Sequence, residues 1–272
     1  MRLADVGEVG LLAELERRGL AQRIEHDAAQ LGDGLVVTQD ALVEDVHFRL
    51  GQITWRDLGW RAAAVNLSDL AASGATPEAL VVTLAAPGET SLEDVLELYE
   101  GIAETSVPVV GGDTVRAEHV VLSVTALGRS PRVPGRAGAR PGDLLVVTGA
   151  LGAAGAAFRR GAFVRPPLRI DEGRRLAAVA TAMLDVSDGL AVDAGHLAAR
   201  SRVRCVVDLD AVPLAPGATV DDLGFGEDYE LLAAVPGDTL GFPAVGRCEE
   251  GEGVVLLRGG VPVELGGWEH FR

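Results

Sequence analysis

Segments with a helical pattern alternate with segments with a strand pattern along most of the chain, and this alternation is the feature that most restricts the fold. It is typical of α/β or α+β layers and argues against a helical bundle or a β-sandwich. In the first half we predict helices at 11–20, 55–73 and 92–104 and strands at 34–40, 81–85, 107–110 and 120–127, with the strand at 107–110 buried and ending at the GGDT segment.

The segment PRVPGRAGARPGD, residues 131–143, is dense in Pro, Gly and Arg and is typical of a connection between domains. We therefore predict an N-terminal domain over 1–134 and a C-terminal domain over 135–272. A chain of 272 residues with 48% hydrophobic residues is long enough for two cores. After the connection we predict helices at 151–161, 170–184 and 189–201 and strands at 143–149, 204–210, 231–235, 243–248 and 253–257.

The formal charge of -16 argues against nucleic acid or an anionic membrane as the main partner, because either would be repelled. A phosphorylated substrate is compatible with this charge only if cations invert the local field. Cys205 and Cys248 have no metal-ligand spacing, no apolar run approaches the ~20 residues of a membrane helix, and the N-terminus shows no signal-peptide pattern. These features predict a cytoplasmic protein.

Several carboxylates lie in short motifs built from Gly, Ser, Thr and Asn rather than beside basic residues. Mg²⁺ prefers oxygen ligands and is usually held by a few carboxylates together with substrate phosphates. Such a set of acids therefore suits a chain that gathers hard cations around a polyphosphate. The acids are Asp27, Asp40, Asp69, Asp113, Asp185 and Asp188.

Structural alternatives exist for some of these acids. Asp185 or Ser187 could cap the following helix, and Asp113 could be an ordinary turn residue. Asp69 is harder to explain in this way, because Asn66, Asp69 and Ser73 form a narrow polar stripe on a segment otherwise made of Ala, Val and Leu. No Lys or Arg lies within that stripe to neutralise Asp69. A carboxylate there needs a partner from elsewhere, and a metal ion is one candidate.

Four other candidate residues also have two possible interpretations from the sequence alone. His47 could be structural, Arg136 could be a solvated charge or a clamp for phosphate oxygens, and Tyr99 and Trp268 could be core aromatics or contact a ligand. The chain has no G-x-x-x-x-G-K-[ST] loop and no protein-kinase signature. The two common ways of holding nucleotide phosphates are therefore excluded.

Taken in order, the motifs resemble those of the thiamine-monophosphate kinase family, in the superfamily of aminoimidazole ribonucleotide synthetase and selenophosphate synthetase. The resemblance runs nearly end to end and rests on VVTQDALVEDVHF, AVNLSDLAASGA, ELYEGIAE, VVGGDT, RAGARPGD, VTGALG, MLDVSDGL, GEDYELL and GWEHF. It implies Mg²⁺-assisted transfer of the γ-phosphoryl group of ATP to thiamine monophosphate. It also implies an N-terminal α/β domain that forms a sheet or barrel with its copy in a homodimer, and a C-terminal α/β domain that closes over the nucleotide.

The resemblance also implies roles for individual residues. Asp188 is the best single candidate for a catalytic residue, and we assign no separate general base, because phosphoryl transfer requires mainly positioning and charge stabilisation. The implied metal ligands are Asp27, Thr38, Asp40, Asp69, Asp113, Asp185 and Asp188. The implied ATP contacts are Tyr99, Gly112, Asp113, Arg136 and Ser187, and the implied thiamine-phosphate contacts are His47, Glu227 and Trp268.

The sequence departs from the family pattern at three positions. His26 stands where the family has the first acid of a pair, Gln39 replaces a hydroxyl residue, and Asp45 replaces a glycine. The first two changes would remove a cation or would make Glu25 a substitute ligand. Two alternatives to the kinase follow: a binding protein for nucleotide or thiamine phosphate without turnover, and another ATP-using enzyme of the superfamily.

Overall fold

The first sheet has five strands in the order β1-β2-β5-β3-β4. The computed structural model describes residues 2–21 and 26–268. Strand β5 alternates between buried and partly exposed residues, as expected of a strand with one face on a core. The N-terminal elements are α1 (Leu3–Arg17), β1 (Ala29–Gln30), β2 (Leu35–Val43), α2 (Trp55–Ala72), β3 (Thr76–Ala86), α3 (Leu92–Ala103), β4 (Val109–Arg116) and β5 (Val121–Arg129).

The second sheet has seven strands in the order β12-β11-β8-β10-β6-β9-β7. Strand β11 pairs with β8 in parallel, and the other described pairings of this sheet are antiparallel. The two sheets with their helices confirm the predicted α/β architecture of two domains. The C-terminal elements are β6 (Leu144–Val147), α4 (Ala153–Arg159), α5 (Ile170–Ala177), β7 (Ala182–Asp185), α6 (Leu190–Ser201), β8 (Arg204–Asp208), β9 (Leu231–Val235), β10 (Ala244–Glu249), β11 (Gly253–Arg258) and β12 (Val261–Val263).

Helix α2 packs against both halves of the molecule. It contacts β2, β3 and β5 of the first sheet and also α5, β7 and β9 of the second half. Its small residues permit this close approach: Ala71 and Ala72 share a buried cluster with Leu176 and Met183, and a Cβ atom on Gly173 would collide with the carbonyl oxygen of Ala71. A polar residue on α2 can therefore face elements of both domains.

Two elements were predicted wrongly, one in its type of secondary structure and the other in its burial. The segment 170–184 is not one helix, because α5 ends at Ala177 and 182–185 forms β7, whose four residues are all buried. A short run that is mostly apolar is compatible with either a helix or a buried strand. The predicted buried strand at 107–110 is instead β4, which extends through the GGDT segment, and all eight of its residues are exposed because it lies at the sheet edge.

The first helix also differs from the prediction, since it begins at Leu3, ends at Arg17 and is interrupted at Gly7, whose φ is 66°. In the described part of the chain, no helix is both long enough and apolar enough to cross a membrane.

Candidate active site between the two domains

A cavity of about 890 Å³ lies where α2 and β2 face the loops of the C-terminal half. Most of the predicted site residues line it, although they are widely separated in the sequence. Members of the metal, nucleotide and substrate sets predicted from the sequence therefore share one cavity. Eleven predicted residues are in this lining: Asp27, Thr38, Asp40, His47, Asp69, Arg136, Asp185, Ser187, Asp188, Glu227 and Trp268.

Three carboxylates converge within this cavity from three different elements. Oxygen atoms of Asp27, Asp69 and Asp185 lie within 4.8 Å of one another. Asp27 precedes β1, Asp69 lies near the C-terminal end of α2, and Asp185 ends β7. This group of oxygen ligands is of the kind that binds hard divalent cations.

Two hydroxyl groups orient the carboxylates of this cluster. The hydroxyl of Ser68 donates to Asp185 Oδ2 at 2.6 Å, and the hydroxyl of Thr38 donates to Asp69. On the same face of α2, Asn66 Oδ1 accepts a hydrogen bond from the backbone N–H of Asp40 at 2.9 Å. The sequence analysis did not select Ser68, although its place directly before Asp69 in the NLSD motif was an available signal.

The cluster carries more negative charge than its surroundings neutralise. Burial, followed by repulsion from Asp27, raises the pKa of Asp185 to about 7. Burial also raises the pKa of Asp69 well above its ordinary value, with repulsion from Asp40 as the next cause. The side chain of Asp40 is exposed to the cavity, but the protein packed around it, followed by repulsion from Glu227, raises its pKa to about 6. A bound divalent cation would offset these penalties, so the donor set fits such an ion.

Arg136 supplies positive charge to one side of the cluster. Its Nε and Nη2 atoms lie 2.8 and 2.6 Å from the same oxygen of Asp27. The ring of His26 lies against Gly135, where a Cβ atom would collide with it, and its buried Nδ1 has no hydrogen-bond partner among the described residues. His26 thus lines the cavity at the position where the family pattern has a carboxylate, whereas Glu25 lies outside the described residues.

The GEDYE segment forms one wall of the cavity and has a constrained backbone. Glu227 and Tyr229 have positive φ angles of 61° and 51°, which are uncommon for residues other than glycine. The backbone N–H of Glu227 donates to the carbonyl oxygen of Ser187 at 2.8 Å, which places it beside the DVSDG loop. Positive φ angles of this kind cluster at binding and catalytic sites.

The acids of this segment are each held by a different partner. Asp228 accepts a hydrogen bond from the N–H of Gly152 at 2.7 Å, at the start of α4, and burial raises its pKa to about 6. Glu230 is held by two hydrogen bonds from Arg169, at 2.7 and 2.6 Å. Glu227 pairs with Arg61 of α2. Among these three acids, only Glu227 lines the cavity.

Asp188 lies in a loop that is braced on two sides. Its backbone N–H donates to Asp193 Oδ2 at 3.1 Å, and its carbonyl oxygen accepts from the backbone N–H of Trp268 at 2.9 Å. The N-terminal cap of α6 is Gly189 and no side chain caps it, so capping by Asp185 or Ser187 does not account for these residues. Asp193, which the sequence analysis missed, supports the loop instead.

Three predicted residues lie outside the cavity of the single chain. Tyr99 is on α3 and packs against the N-terminal core. Gly112 and Asp113 are in the exposed edge strand β4, so Asp113 is not a turn residue, and its carboxylate accepts from the backbone N–H of Thr114 at 2.8 Å. Their predicted contacts with ATP or metal remain predictions.

Comparisons with known proteins agree with this arrangement. Residues 25–130 match the N-terminal domain of AIR synthase related proteins, and residues 140–256 match the C-terminal domain of the same family. The chain is 33% identical to a thiamine-monophosphate kinase of Aquifex aeolicus, with all of both chains covered. It is 37% identical to a thiamine-monophosphate kinase of Mycobacterium tuberculosis, covering 88% of this chain and 82% of the relative.

The fold is similar to that of a solved structure described as AaThiL complexed with AMPPCP and TMP. That similarity has a TM-score of 0.90 at 33% identity and covers 99% of each chain. A solved hydrogenase maturation protein, HypE in complex with ATP, is 20% identical with a TM-score of 0.73, which shows a shared fold alone.

Proposed function

The chain belongs to the thiamine-monophosphate kinase family of AIR synthase related proteins, and we infer from this membership that it transfers the γ-phosphoryl group of ATP to thiamine monophosphate. The products are thiamine diphosphate and ADP. The structural observation that carries this inference is the convergence of Asp27, Asp69 and Asp185 in one cavity. The residues predicted to contact thiamine monophosphate line the same cavity.

We propose that several Mg²⁺ ions act in this reaction and that the carboxylate cluster holds at least one of them. The support is the donor set, which is all oxygen, and the raised pKa of Asp69 and Asp185, which a cation would lower. Asp40 and Asp188, which line the same cavity, would add ligands beside the cluster. When bound, Mg²⁺ supplies positive charge that stabilises the transferring phosphoryl group.

The protein's own residues then mainly orient the γ-phosphate of ATP and the phosphate of thiamine monophosphate. Arg136 and Ser187 line the cavity beside the cluster and would contact ATP, since a guanidinium group matches phosphate oxygens. No general base is needed, because the attacking oxygen belongs to a phosphate that is already ionised near neutral pH, with a second pKa of about 6. Asp188 is the residue we propose to be the most sensitive to substitution.

The thiamine end of the acceptor would lie against His47, Glu227 and Trp268. Trp268 is half-exposed, at 49%, lines the cavity, and its backbone N–H donates to the carbonyl oxygen of Asp188. The thiazolium ring of thiamine carries a positive charge and is attracted to the face of an indole. This attraction would favour thiamine monophosphate over an uncharged acceptor of similar size.

We propose that the protein is a homodimer in which the β4 edges take part. The eight exposed residues of β4 include Val109, Val110 and Val115, and an exposed edge strand with apolar side chains normally pairs or is covered. Such pairing would also change the surroundings of Gly112 and Asp113, which lie outside the cavity in the single chain. A cytoplasmic location is proposed as well, because ATP and Mg²⁺ are available there and the free thiols of Cys205 and Cys248 would stay reduced.

ADP release tests the proposed function directly. We expect ADP to form with thiamine monophosphate and Mg²⁺, and not with thiamine, with aminoimidazole precursors, or without an acceptor. Release of ADP with an aminoimidazole precursor instead would indicate another enzyme of the superfamily. Binding of thiamine monophosphate without ADP release would contradict the kinase and support a binding protein, for which the replacement of a carboxylate by His26 is the motivating observation.

A further inference from the structure

Arg61 is a buried cation near the centre of α2 that has no place among the roles implied by the family resemblance. It is 5% exposed, although arginine is among the residues least often buried. It lines the cavity, and its guanidinium group joins two segments that are far apart in the sequence. One of these segments contains His47 of the first domain, and the other contains Glu227 of the second.

The two terminal nitrogens of Arg61 make these connections. Nη1 donates to the carbonyl oxygen of His47, and Nη2 donates to Glu227 Oε2, each at 2.5 Å. The Glu227 side chain is 30% exposed, so one side of the pair opens to the cavity while the Arg61 side chain, 7% exposed, lies beneath it. A fixed guanidinium group thus sets the position of a carboxylate on the cavity wall.

The remaining nitrogen of Arg61 takes no part in either connection. Its Nε is buried and has no hydrogen-bond acceptor among the described residues. A buried donor without an acceptor is destabilising and rare in folded proteins, and a functional requirement on the side chain is one explanation for it.

The partner of Arg61 is also held in an uncommon backbone conformation. Glu227 has a φ of 61°, and the next residue but one, Tyr229, has a φ of 51°. Such conformations persist only where the surroundings hold them in place. The ion pair from Arg61 and the hydrogen bond from the Glu227 N–H to Ser187 hold this residue from two directions.

We propose that Arg61 is a positioning residue for the acceptor substrate, which acts by fixing the Glu227 carboxylate and the His47 backbone on one wall of the cavity. This inference rests on the proposed function, since His47 and Glu227 are the proposed contacts of thiamine monophosphate. Arg61 lies on the acceptor side and does not contact Arg136 or the carboxylate cluster through any described hydrogen bond. Its loss should therefore weaken acceptor binding more than nucleotide binding.

The test is a steady-state comparison of Arg61→Gln and Arg61→Lys with the unaltered protein. A misplacement of about 1 Å caused by a remote mutation can cost about 100-fold, so we expect KM for thiamine monophosphate to rise by about 10-fold or more in Arg61→Gln. KM for ATP should change by less than about 3-fold. Arg61→Lys keeps the positive charge but lacks the planar guanidinium group. Its KM for thiamine monophosphate should therefore lie between those of the unaltered protein and Arg61→Gln.

Arg56→Gln is the matched control. Arg56 is on the same helix and pairs with Glu100 and Glu104, but it is exposed and does not line the cavity. We expect KM for both substrates to be unchanged in this variant. Thermal unfolding of all variants identifies any general loss of structure. If Arg61→Gln does not fold, the KM values of Arg61→Lys are compared with those of the unaltered protein instead.

A double substitution tests whether Arg61 acts through Glu227. Arg61→Gln and Glu227→Gln combined should raise KM for thiamine monophosphate hardly more than the worse single variant, because residues that act as a unit are not additive. Multiplying effects, or equal increases in both KM values, would overturn the proposal. ADP release by the unaltered protein tests the proposed function separately from the role of Arg61. If the unaltered protein releases no ADP, the Kd of thiamine monophosphate is compared between the same variants, and that comparison decides the role of Arg61.

Discussion

The hydroxyl of Ser68 donates a 2.6 Å hydrogen bond to the carboxylate of Asp185, and this bond joins helix α2 of the first domain to strand β7 of the second. Both residues are buried. The metal-binding carboxylates we propose are therefore not independent of the way the two domains pack.

Ser68→Ala should reduce turnover by about 10-fold and weaken Mg²⁺ binding, because groups that orient a metal ligand typically matter by 10- to 100-fold. The measurement is kcat together with the Mg²⁺ concentration for half-maximal rate. Ser91→Ala is the control, since Ser91 accepts a hydrogen bond from the N–H of Asp94 as the cap of α3. It should lose about 1 kcal/mol of stability without a change in Mg²⁺ dependence.

Asp188→Asn should lower turnover by at least about 100-fold while the unfolding midpoint hardly moves, as expected when a group stabilises charge mainly in the transition state. Its backbone N–H, which bonds to Asp193, is retained in the variant. Activity and thermal unfolding are measured on the same preparation. Unchanged turnover would mean that Asp188 is only a residue at the start of the helix.

Mg²⁺ should stabilise the protein more at high pH than at low pH. The pKa of Asp40 is raised to about 6 and that of Asp185 to about 7, so the folded protein keeps protons that the unfolded chain has lost above about pH 4. Without the ion, this contribution to stability is complete below about pH 4 and is lost as the pH rises through about 6 and 7. Protons also compete with the ion for the same oxygens.

We therefore expect the shift in Tm caused by saturating Mg²⁺ to be at least roughly twice as large at about pH 8 as at about pH 5.5. Thermal unfolding with and without the ion measures this. Asp185→Asn should reduce the difference between the two pH values. A shift independent of pH would show that these carboxylates do not bind the ion.

Val110→Glu should convert the proposed dimer to a monomer, because it places a charge on an exposed apolar position of β4. The mass measured by sedimentation equilibrium should fall by about half. Leu92→Glu is a suitable control, since Leu92 is similarly exposed, 70% against 65%, but lies on α3. Dissociation by Leu92→Glu alone would place the interface on another face.

The sequence was informative about the carboxylates because each lies in a short polar motif whose composition is unusual for a structural acid. Asp27, Asp69 and Asp185 were predicted to act together, and the structure brings their oxygens together. The stripe on α2 was also informative, since Asn66 and Asp69 both face the cavity side through their bonds to Asp40 and Thr38.

Arg61 could not be selected from the sequence, because an arginine in a helix usually faces solvent, as Arg56 of the same helix does. Its role depends on Glu227, which is separated from it by more than 160 residues and reaches it only through the packing of two domains. Strand β7 was mistaken for the end of a helix for a related reason. Its burial is decided by the neighbouring strand β9, with which it pairs, and not by local periodicity.

The most direct measurement follows the label from ATP carrying ³²P in its γ-phosphate, incubated with thiamine monophosphate and Mg²⁺. Direct transfer predicts that the label appears in thiamine diphosphate, in an amount equal to the ADP formed, and that omission of Mg²⁺ abolishes both products. Label recovered only as inorganic phosphate, or ADP formed equally without thiamine monophosphate, would contradict the proposed phosphoryl transfer.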